Sequence, residues 1–290
     1  MLYIVATPIG NLEDITLRAL RTLRGVDFII CEDTRVTTKL LAHYEIKKPL
    51  ISYHHHSKLD KINYIIERLE KGENAALVSD AGTPGINDPG GILISKILEK
   101  NYENKNCAHD IETQDIASLR GNTPLTPLKR GTVRIIPIPG PCAATALASV
   151  SGIPMDRFLF MGFPPHKKGR QTFFKSILER EEPVIFYESC HRILKALSEL
   201  NELSVNKNSV QGKNPPVSPF SKGGGLQIIV GRELTKMFET IYRGDVENVI
   251  NQLESNKNNL KGEFAVIVNK TTKQEIIKIN ENIVKLGSAA

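Results

Sequence analysis

Five short segments concentrate residue types that bind ligands or move protons, and each follows an apolar run: Thr7-Pro8-Ile9-Gly10-Asn11, Glu32-Asp33-Thr34-Arg35, His54-His55-His56, Ser79-Asp80-Ala81-Gly82-Thr83-Pro84-Gly85 and Pro139-Gly140-Pro141-Cys142-Ala143-Ala144. The fourth says most about chemistry. From Ser79 to Gly91 it holds four glycines and two prolines. That mixture fixes the backbone, partly in left-handed conformations, and leaves N–H and C=O groups bare for close approach by an adenosine or an amino acid. Neither G-x-x-x-x-G-K-[ST] nor a G-x-G-x-x-G after the first apolar run occurs, so the phosphate-cradling loop and the usual dinucleotide fingerprint are both missing. Standing alone the loop would read as a rigid turn; beside the other four it reads as a ligand site.

The second half carries two charged constellations. Arg232-Glu233-Leu234-Thr235-Lys236 and Glu239 place two carboxylates and two cations within eight residues. Glu233 and Lys236 are the expected proton-handling pair, with a carboxylate or a lysine of lowered pKa accepting or relaying a proton, and Arg232 is expected on a phosphate or carboxylate. A structural ion-pair cluster is an equal reading. Pro164-Pro165-His166-Lys167-Lys168-Gly169-Arg170 gathers positive charge on a loop, so Lys167, Lys168 and Arg170 are expected phosphate contacts, against the alternative of a solvated loop. Asp33 and Arg35 either contact a ligand or, for Asp33, cap a helix beginning near Thr34. Tyr187 is expected to face a cleft and Arg192 to open a helix. No metal is expected at the histidine run, because adjacent residues of an extended chain point to opposite faces.

The elements that position these residues are legible from the pattern. Strand-like runs at Leu2 to Ala6, Phe28 to Cys31, Leu50 to Tyr53, Ala75 to Val78 and Arg134 to Ile138 alternate with helix-like stretches, which predicts a mostly parallel sheet covered on both faces. The five chemical segments then converge on its carboxyl edge. A second series opens at Arg157 to Met161 and includes Val184 to Tyr187, Ile228 to Val230, Thr240 to Arg243 and Glu263 to Val268, predicting a mixed sheet with flanking helices. The expected organisation is therefore α/β with two domains, 1–151 and 155–270, joined at Gly152-Ile153-Pro154, and a tail over 271–290.

Two stretches, 101–131 and 204–225, are rich in Asn, Lys, Pro, Ser and Gly and read as inserts on the edge away from the ligand crevice. They resemble each other: in Asn122 to Gly131 and Asn214 to Gly223 the Asn, two Pro and the final Gly coincide. A surface insert is favoured over a duplicated docking motif.

Composition limits the classes. The chain has 290 residues, 40% hydrophobic and 24% charged, which suits globular domains and not disordered or fibrous ones. A net charge of +6 permits a polyanionic partner without requiring one. Four cysteines without a C-x-x-C pair suggest neither a zinc knuckle nor a disulfide framework, and a cytoplasmic protein without a membrane span is expected.

The segments Ala6 to Asp14, Cys31 to Arg35, Val78 to Ile86, Pro137 to Ala144 and Gly231 to Lys236 closely resemble the tetrapyrrole-methylase-like family of methyltransferases. Within it they resemble the branch that 2′-O-methylates a cytidine of bacterial small-subunit ribosomal RNA. The resemblance covers nearly the whole chain apart from the inserts. It implies a homodimeric two-domain enzyme holding S-adenosylmethionine in an interdomain cleft without metal. It carries the donor contacts onto Pro8, Ser79, Asp80, Ala81, Gly82, Thr83, Cys142, Ala143, Met161, Tyr187 and Leu234; Arg35 and His54 are further expected RNA contacts besides the basic loop. Two departures stand out: His55 occupies a position usually acidic, and Cys142 one usually serine. The rival functions are a methyltransferase acting on a small tetrapyrrole-type molecule, disfavoured because Thr7 to Asn11 lacks the Gly-x-Gly-x-Gly opening of that branch, and a non-catalytic RNA-binding protein.

Overall fold

The computed structural model describes residues 1–54, 59–106, 132–210 and 225–270. Two compact units divide between Cys142 and Ala143.

The first unit is built on five parallel strands, β1 (Leu2–Val5), β2 (Phe28–Cys31), β3 (Leu50–Ser52), β4 (Ala75–Val78) and β5 (Ile135–Ile138), in the order β3-β2-β4-β1-β5. Every residue of β2 and β4 is buried, as expected of interior parallel strands covered on both faces. Alternate side chains supply two cores. Val5, Ile29, Cys31, Ala76 and Val78 pack with Ala19 and Leu23 of α1 (Leu17–Gly25) and Leu41 of α2 (Thr34–His43). Leu2, Ile4, Phe28, Ile30, Ala75 and Leu77 pack on the opposite face with Ile62, Ile65 and Ile66 of α3 (Leu59–Glu70) and with Leu93 and Ile97 of α4 (Gly90–Asn106).

The second unit has a mixed sheet of β6 (Leu159–Phe160), β7 (Val184–Ser189), β8 (Leu226–Arg232), β9 (Thr240–Gly244) and β10 (Glu263–Lys270), in the order β6-β7-β10-β8-β9. Only the β6–β7 pair is parallel. One face carries α6 (Arg170–Glu179), α7 (Ile193–Val210) and α8 (Val246–Glu254) around Phe174, Leu197, Val230 and Val266. The other face receives α5 (Ala143–Ser149), whose Leu147 lies against the backbone of Gly231.

Three boundaries differ from expectation. Helix α5 falls in the second unit, so the division precedes the Gly152-Ile153-Pro154 segment expected as linker. Helices α4 and α7 run on to Asn106 and Val210, into the stretches read as irregular. The reason in α4 is Asn101: it is buried, its Nδ2 donates to the Val133 carbonyl at 2.8 Å, and its Oδ1 accepts from the Val133 N–H at 2.9 Å. The rest of the expected inserts and the tail lie outside the described residues, as do His55 and His56.

Candidate functional site

In the first unit the helices after β1 and β2 lie on one face and the helix after β4 on the other, so the loop leaving β4 sits where connections diverge. Such a divergence opens a crevice at the carboxyl edge of a parallel sheet. The loop is tied firmly to its neighbours. Thr7, buried just beyond β1, exchanges backbone hydrogen bonds with Gly82: its N–H donates to the Gly82 carbonyl at 2.9 Å and its carbonyl accepts from the Gly82 N–H at 3.1 Å. The Thr7 hydroxyl donates to the Ser79 carbonyl at 3.1 Å, and the Ser79 hydroxyl donates to Gly82 at 3.1 Å. Thr83 reaches the loop after β5, donating to the Pro141 carbonyl at 3.0 Å. On the β2 side, Asp80 Oδ1 accepts from the Asp33 N–H at 3.1 Å.

Glycine is required at two of these points. Gly82 has φ +85°, and a Cβ there would stand 3.3 Å from the Ile9 side chain and 3.6 Å from the Pro141 carbonyl. A Cβ on Gly140 would stand 2.9 Å from that of Ala6. The expected donor contacts Pro8, Ser79, Asp80, Ala81, Gly82 and Thr83 thus occupy one hydrogen-bonded cluster of loops with Thr83 bonded next to Cys142. Asp33 caps α2, accepting from the Arg35 N–H at 2.8 Å, and also pairs with the exposed Arg35 guanidinium at 2.6 Å. The hydrogen bonds from Arg35 hold the Asp33 carboxyl down at about 2. His54, exposed, lies two residues beyond β3.

In the second unit the register aligns Tyr187, Ala265 and Gly231 across β7, β10 and β8. Helix α5 covers this row. The Tyr187 hydroxyl accepts from the Ala144 N–H at 3.0 Å at the start of α5, and Phe160 and Phe163 pack edge-on against its ring. A side chain on Gly231 would meet Leu147 at 2.8 Å and Leu234 at 2.9 Å. Met161 joins the same end of the sheet, donating its N–H to the Ile185 carbonyl at 2.9 Å. The expected donor contacts Ala143, Met161, Tyr187 and Leu234 therefore share one end of this sheet and the helix across it.

The loop after β8 is strained and cross-braced. Glu233 and Thr235 have φ of 50° and 66°, a conformation that non-glycine residues keep only where the surroundings impose it. Glu233 Oε1 accepts from the Glu263 N–H at 2.9 Å and from Lys236 Nζ at 2.9 Å, and Lys236 also reaches Glu263 at 3.0 Å. Burial alone would raise the Glu233 carboxyl, but hydrogen bonds from Lys236 and Glu263 and the nearby Arg232 charge outweigh it and hold the group low. Burial likewise works to lower Lys236, and the two carboxylates outweigh it and raise the ammonium.

Three expectations are corrected by this geometry. Lys236 lies between two carboxylates that raise its ammonium, the opposite of the lowering expected. Arg232 does not face a phosphate: it is buried and donates to the carbonyls of Lys261 at 2.7 Å, Asn258 at 2.8 Å and Phe238 at 3.0 Å, fastening the loop. Arg170 is 5% exposed and pairs with Glu199 at 2.6 Å and Glu188 at 3.4 Å, which removes it from the phosphate-contact set. Lys167 and Lys168 are exposed as expected.

Residue-level reasoning missed Thr7 and Glu188 as organising groups. Period two carries the signal for the second: Val184, Phe186 and Glu188 share the core face of β7. The same rule puts Arg232 on the face of Ile228 and Val230. Arg170 lies one and two helical turns before Phe174, Ile177 and Leu178, on their buried face. Among the described residues, no group of three or more His, Cys, Asp or Glu is arranged to hold a metal ion, and no helix is long and apolar enough to cross a membrane.

This pairing of a parallel five-stranded sheet with a mixed one defines a known α/β architecture. The fold matches the solved structure of diphthine synthase with a TM-score of 0.57 at 13% identity, covering 96% of this chain and 93% of that one. It matches a uroporphyrin-III-C-methyltransferase from Thermus thermophilus with a TM-score of 0.53 at 16% identity over 97% of each chain. More specifically, the chain belongs to the tetrapyrrole (corrin/porphyrin) methylase family, whose model matches residues 1–108 and 125–250. Its relatives include a protein of Pasteurella multocida strain Pm70 named ribosomal RNA small subunit methyltransferase I, 37% identical over 286 residues, covering 98% of this chain and 84% of that one. The protein of the same name from Hydrogenobaculum sp. strain Y04AAS1 is 36% identical, with 93% and 95% covered.

Proposed function

We propose that this protein transfers the methyl group of S-adenosylmethionine to the 2′-hydroxyl of a cytidine in small-subunit ribosomal RNA. Membership of a methylase family supports methyl transfer, and the names of relatives at 36–38% identity support the RNA acceptor. The observation that carries donor binding is the glycine-dependent loop Ser79 to Gly85, braced by Thr7 and Pro141 where the sheet connections diverge. Its shape fits the donor: Gly82, buried and paired with Thr7, sets the turn where a side chain would crowd the loop, and Asp80, Ala81 and Gly85 are left exposed.

The transfer forms an oxygen–carbon bond as the carbon–sulfur bond breaks. The sulfonium becomes a thioether and the hydroxyl loses its proton to a base or to water. A collinear arrangement held by rigid loops supplies most of the acceleration. In the second unit Ala143, Met161, Tyr187 and Leu234 are further proposed donor contacts. Lys236 acts as a fixed ammonium and Glu233 as the carboxylate that aims it, and neither is assigned as the proton acceptor. Exposed Arg35, His54, Lys167 and Lys168 are the proposed RNA contacts. The acceptor is proposed to be the assembled subunit, and the enzyme to work as a cytoplasmic homodimer.

Incubation with labelled donor and small subunits lacking the modification, followed by mass mapping of the RNA, tests the reading. A single 2′-O-methylcytidine is expected. Label entering a tetrapyrrole acceptor and not the RNA would favour the small-molecule rival. Failure of the donor to bind by calorimetry would favour the non-catalytic one.

A further inference from the structure

The exposed basic loop after β6 is built on a buried carboxylate. The Glu188 side chain is fully buried in β7. Its Oε1 accepts from Arg192 Nη2 at 2.8 Å and from the Ser189 N–H at 2.8 Å, and its Oε2 lies 3.4 Å from Arg170 Nη1. Each guanidinium then turns to the loop: Arg192 Nη1 donates to the Pro164 carbonyl at 3.4 Å and Arg170 Nη1 to the Pro165 carbonyl at 3.3 Å. Beyond those two carbonyls stand exposed His166, Lys167 and Lys168. The loop then closes at Gly169, φ +85°, into α6.

Burying such a network is a poor route to stability, because desolvating the charges offsets most of their attraction. Here the offset is incomplete as well: Arg170 Nη2 is buried without a hydrogen-bond partner. What the network provides is geometry. Glu188 joins both guanidiniums, Arg170 being gripped by Glu199 at 2.6 Å as well, and the two guanidiniums fix two consecutive carbonyls at the root of a cationic loop.

We propose that Glu188, through Arg170 and Arg192, is the positioning residue that holds Lys167 and Lys168 in register with the phosphates of the ribosomal RNA acceptor. The inference rests on the reading of that RNA as substrate. Phosphate contacts by side chains set orientation and register on a nucleic acid, so a lysine displaced with its loop loses its contact while keeping its charge.

The test measures binding of unmethylated small subunits across a range of salt, without turnover. Lys167→Ala/Lys168→Ala is expected to weaken binding about tenfold and to lower the salt slope by about 2, one per lost phosphate contact. Glu188→Gln is expected to weaken binding and flatten the slope in the same sense. Adding it to the double lysine variant is expected to cost less than about twofold more, since the loop then has nothing left to position. If Glu188→Gln does not fold, Arg192→Lys takes its place, keeping the charge while losing the fork. The proposal is overturned if the lysine variant binds like the wild type, if Glu188→Gln lowers thermal stability alone, or if the two effects multiply. Methyl transfer is scored separately: subunits gripped as described but never methylated would defeat the function and not this inference, and the reverse result would defeat this inference alone.

Discussion

Replacing Thr7 by Val isolates the bond that joins the end of β1 to the loop after β4. The two side chains have similar shape and the same β-branching, so the change exchanges one buried hydroxyl for a methyl group. The hydroxyl donates to the Ser79 carbonyl at 3.1 Å and, at 3.4 Å, toward the Gly82 carbonyl. The Gly82 carbonyl keeps the Thr7 N–H and the Ser79 hydroxyl as donors, so the loss falls on Ser79. One net buried hydrogen bond contributes about 1 kcal/mol, rising to about 3 kcal/mol when the abandoned carbonyl stays dry. If the strain is relieved by loop movement, donor affinity falls by about fivefold to a hundredfold, since about 1.4 kcal/mol is tenfold. If the loop holds its place, the loss appears as a melting temperature lower by several degrees. Calorimetric titration with S-adenosylhomocysteine and a ligand-free thermal melt read both, with Thr7→Ser as the control that keeps the hydroxyl. Wild-type affinity together with wild-type melting in Thr7→Val would refute the argument. So would a Ser variant as impaired as Val, because the methyl and not the hydroxyl would then matter.

Gly231→Val drives a side chain into Leu147 and Leu234, and a destabilisation of about 1–3 kcal/mol is expected in urea unfolding, with near-ultraviolet dichroism of Tyr187 altered as α5 shifts. Arg232→Lys replaces three nitrogens spread across a planar guanidinium by one, which cannot reach carbonyls served by Nε, Nη1 and Nη2 in turn, so a stability loss of about 2 kcal/mol or more is expected by denaturant titration. In Arg232→Gln, which removes the charge as well, the salt slope of RNA binding should stay unchanged, which a phosphate contact would not allow. For Glu233, held below the ordinary glutamate value, stabilisation is complete above that value and is lost as pH falls through the lower folded one. For Lys236, raised above the ordinary lysine value, stabilisation is complete below that value and is lost only as pH climbs through the higher folded one. Urea midpoints against pH should accordingly lose part of their acid decline in Glu233→Gln and part of their alkaline decline in Lys236→Met, with no change of either kind between pH 6 and 8.

The sheets were legible in the sequence because their strands are nearly uninterrupted apolar runs, and in the first unit the chemical residues follow those runs at once. Phe28 to Cys31 and Ala75 to Val78 have the same bounds in sequence pattern and structure. Asp33 as a helix cap was equally readable, since aspartate before a helical period has a local reason to be there. Charged residues were harder. Arg170 stands in a run of basic residues that invites a surface reading, and only its helical phase with Phe174 and Ile177 reveals that it points inward. Arg232 and Glu188 have the same character, being the last core-facing positions of strands whose earlier core-facing members are apolar. At Lys236 the partner three residues away, Glu233, was legible, but the second carboxylate, Glu263, lies 27 residues on and arrives on β10. Thr7 was hidden by its ordinariness; nothing in its neighbours announces that its hydroxyl crosses to Ser79.

The Asn101 carboxamide grasps both the N–H and the carbonyl of Val133, imitating a neighbouring strand for a single residue. The path into β5 is thus fastened to α4 before the sheet pairing of Leu2 with Ile135 begins. Insertions between these two anchors then add only closure entropy, roughly 0.6 kcal/mol for each doubling of length. The clasp between Asn101 and Val133 is therefore the last fixed point before β5 and the Gly140 and Pro141 turn that follows it.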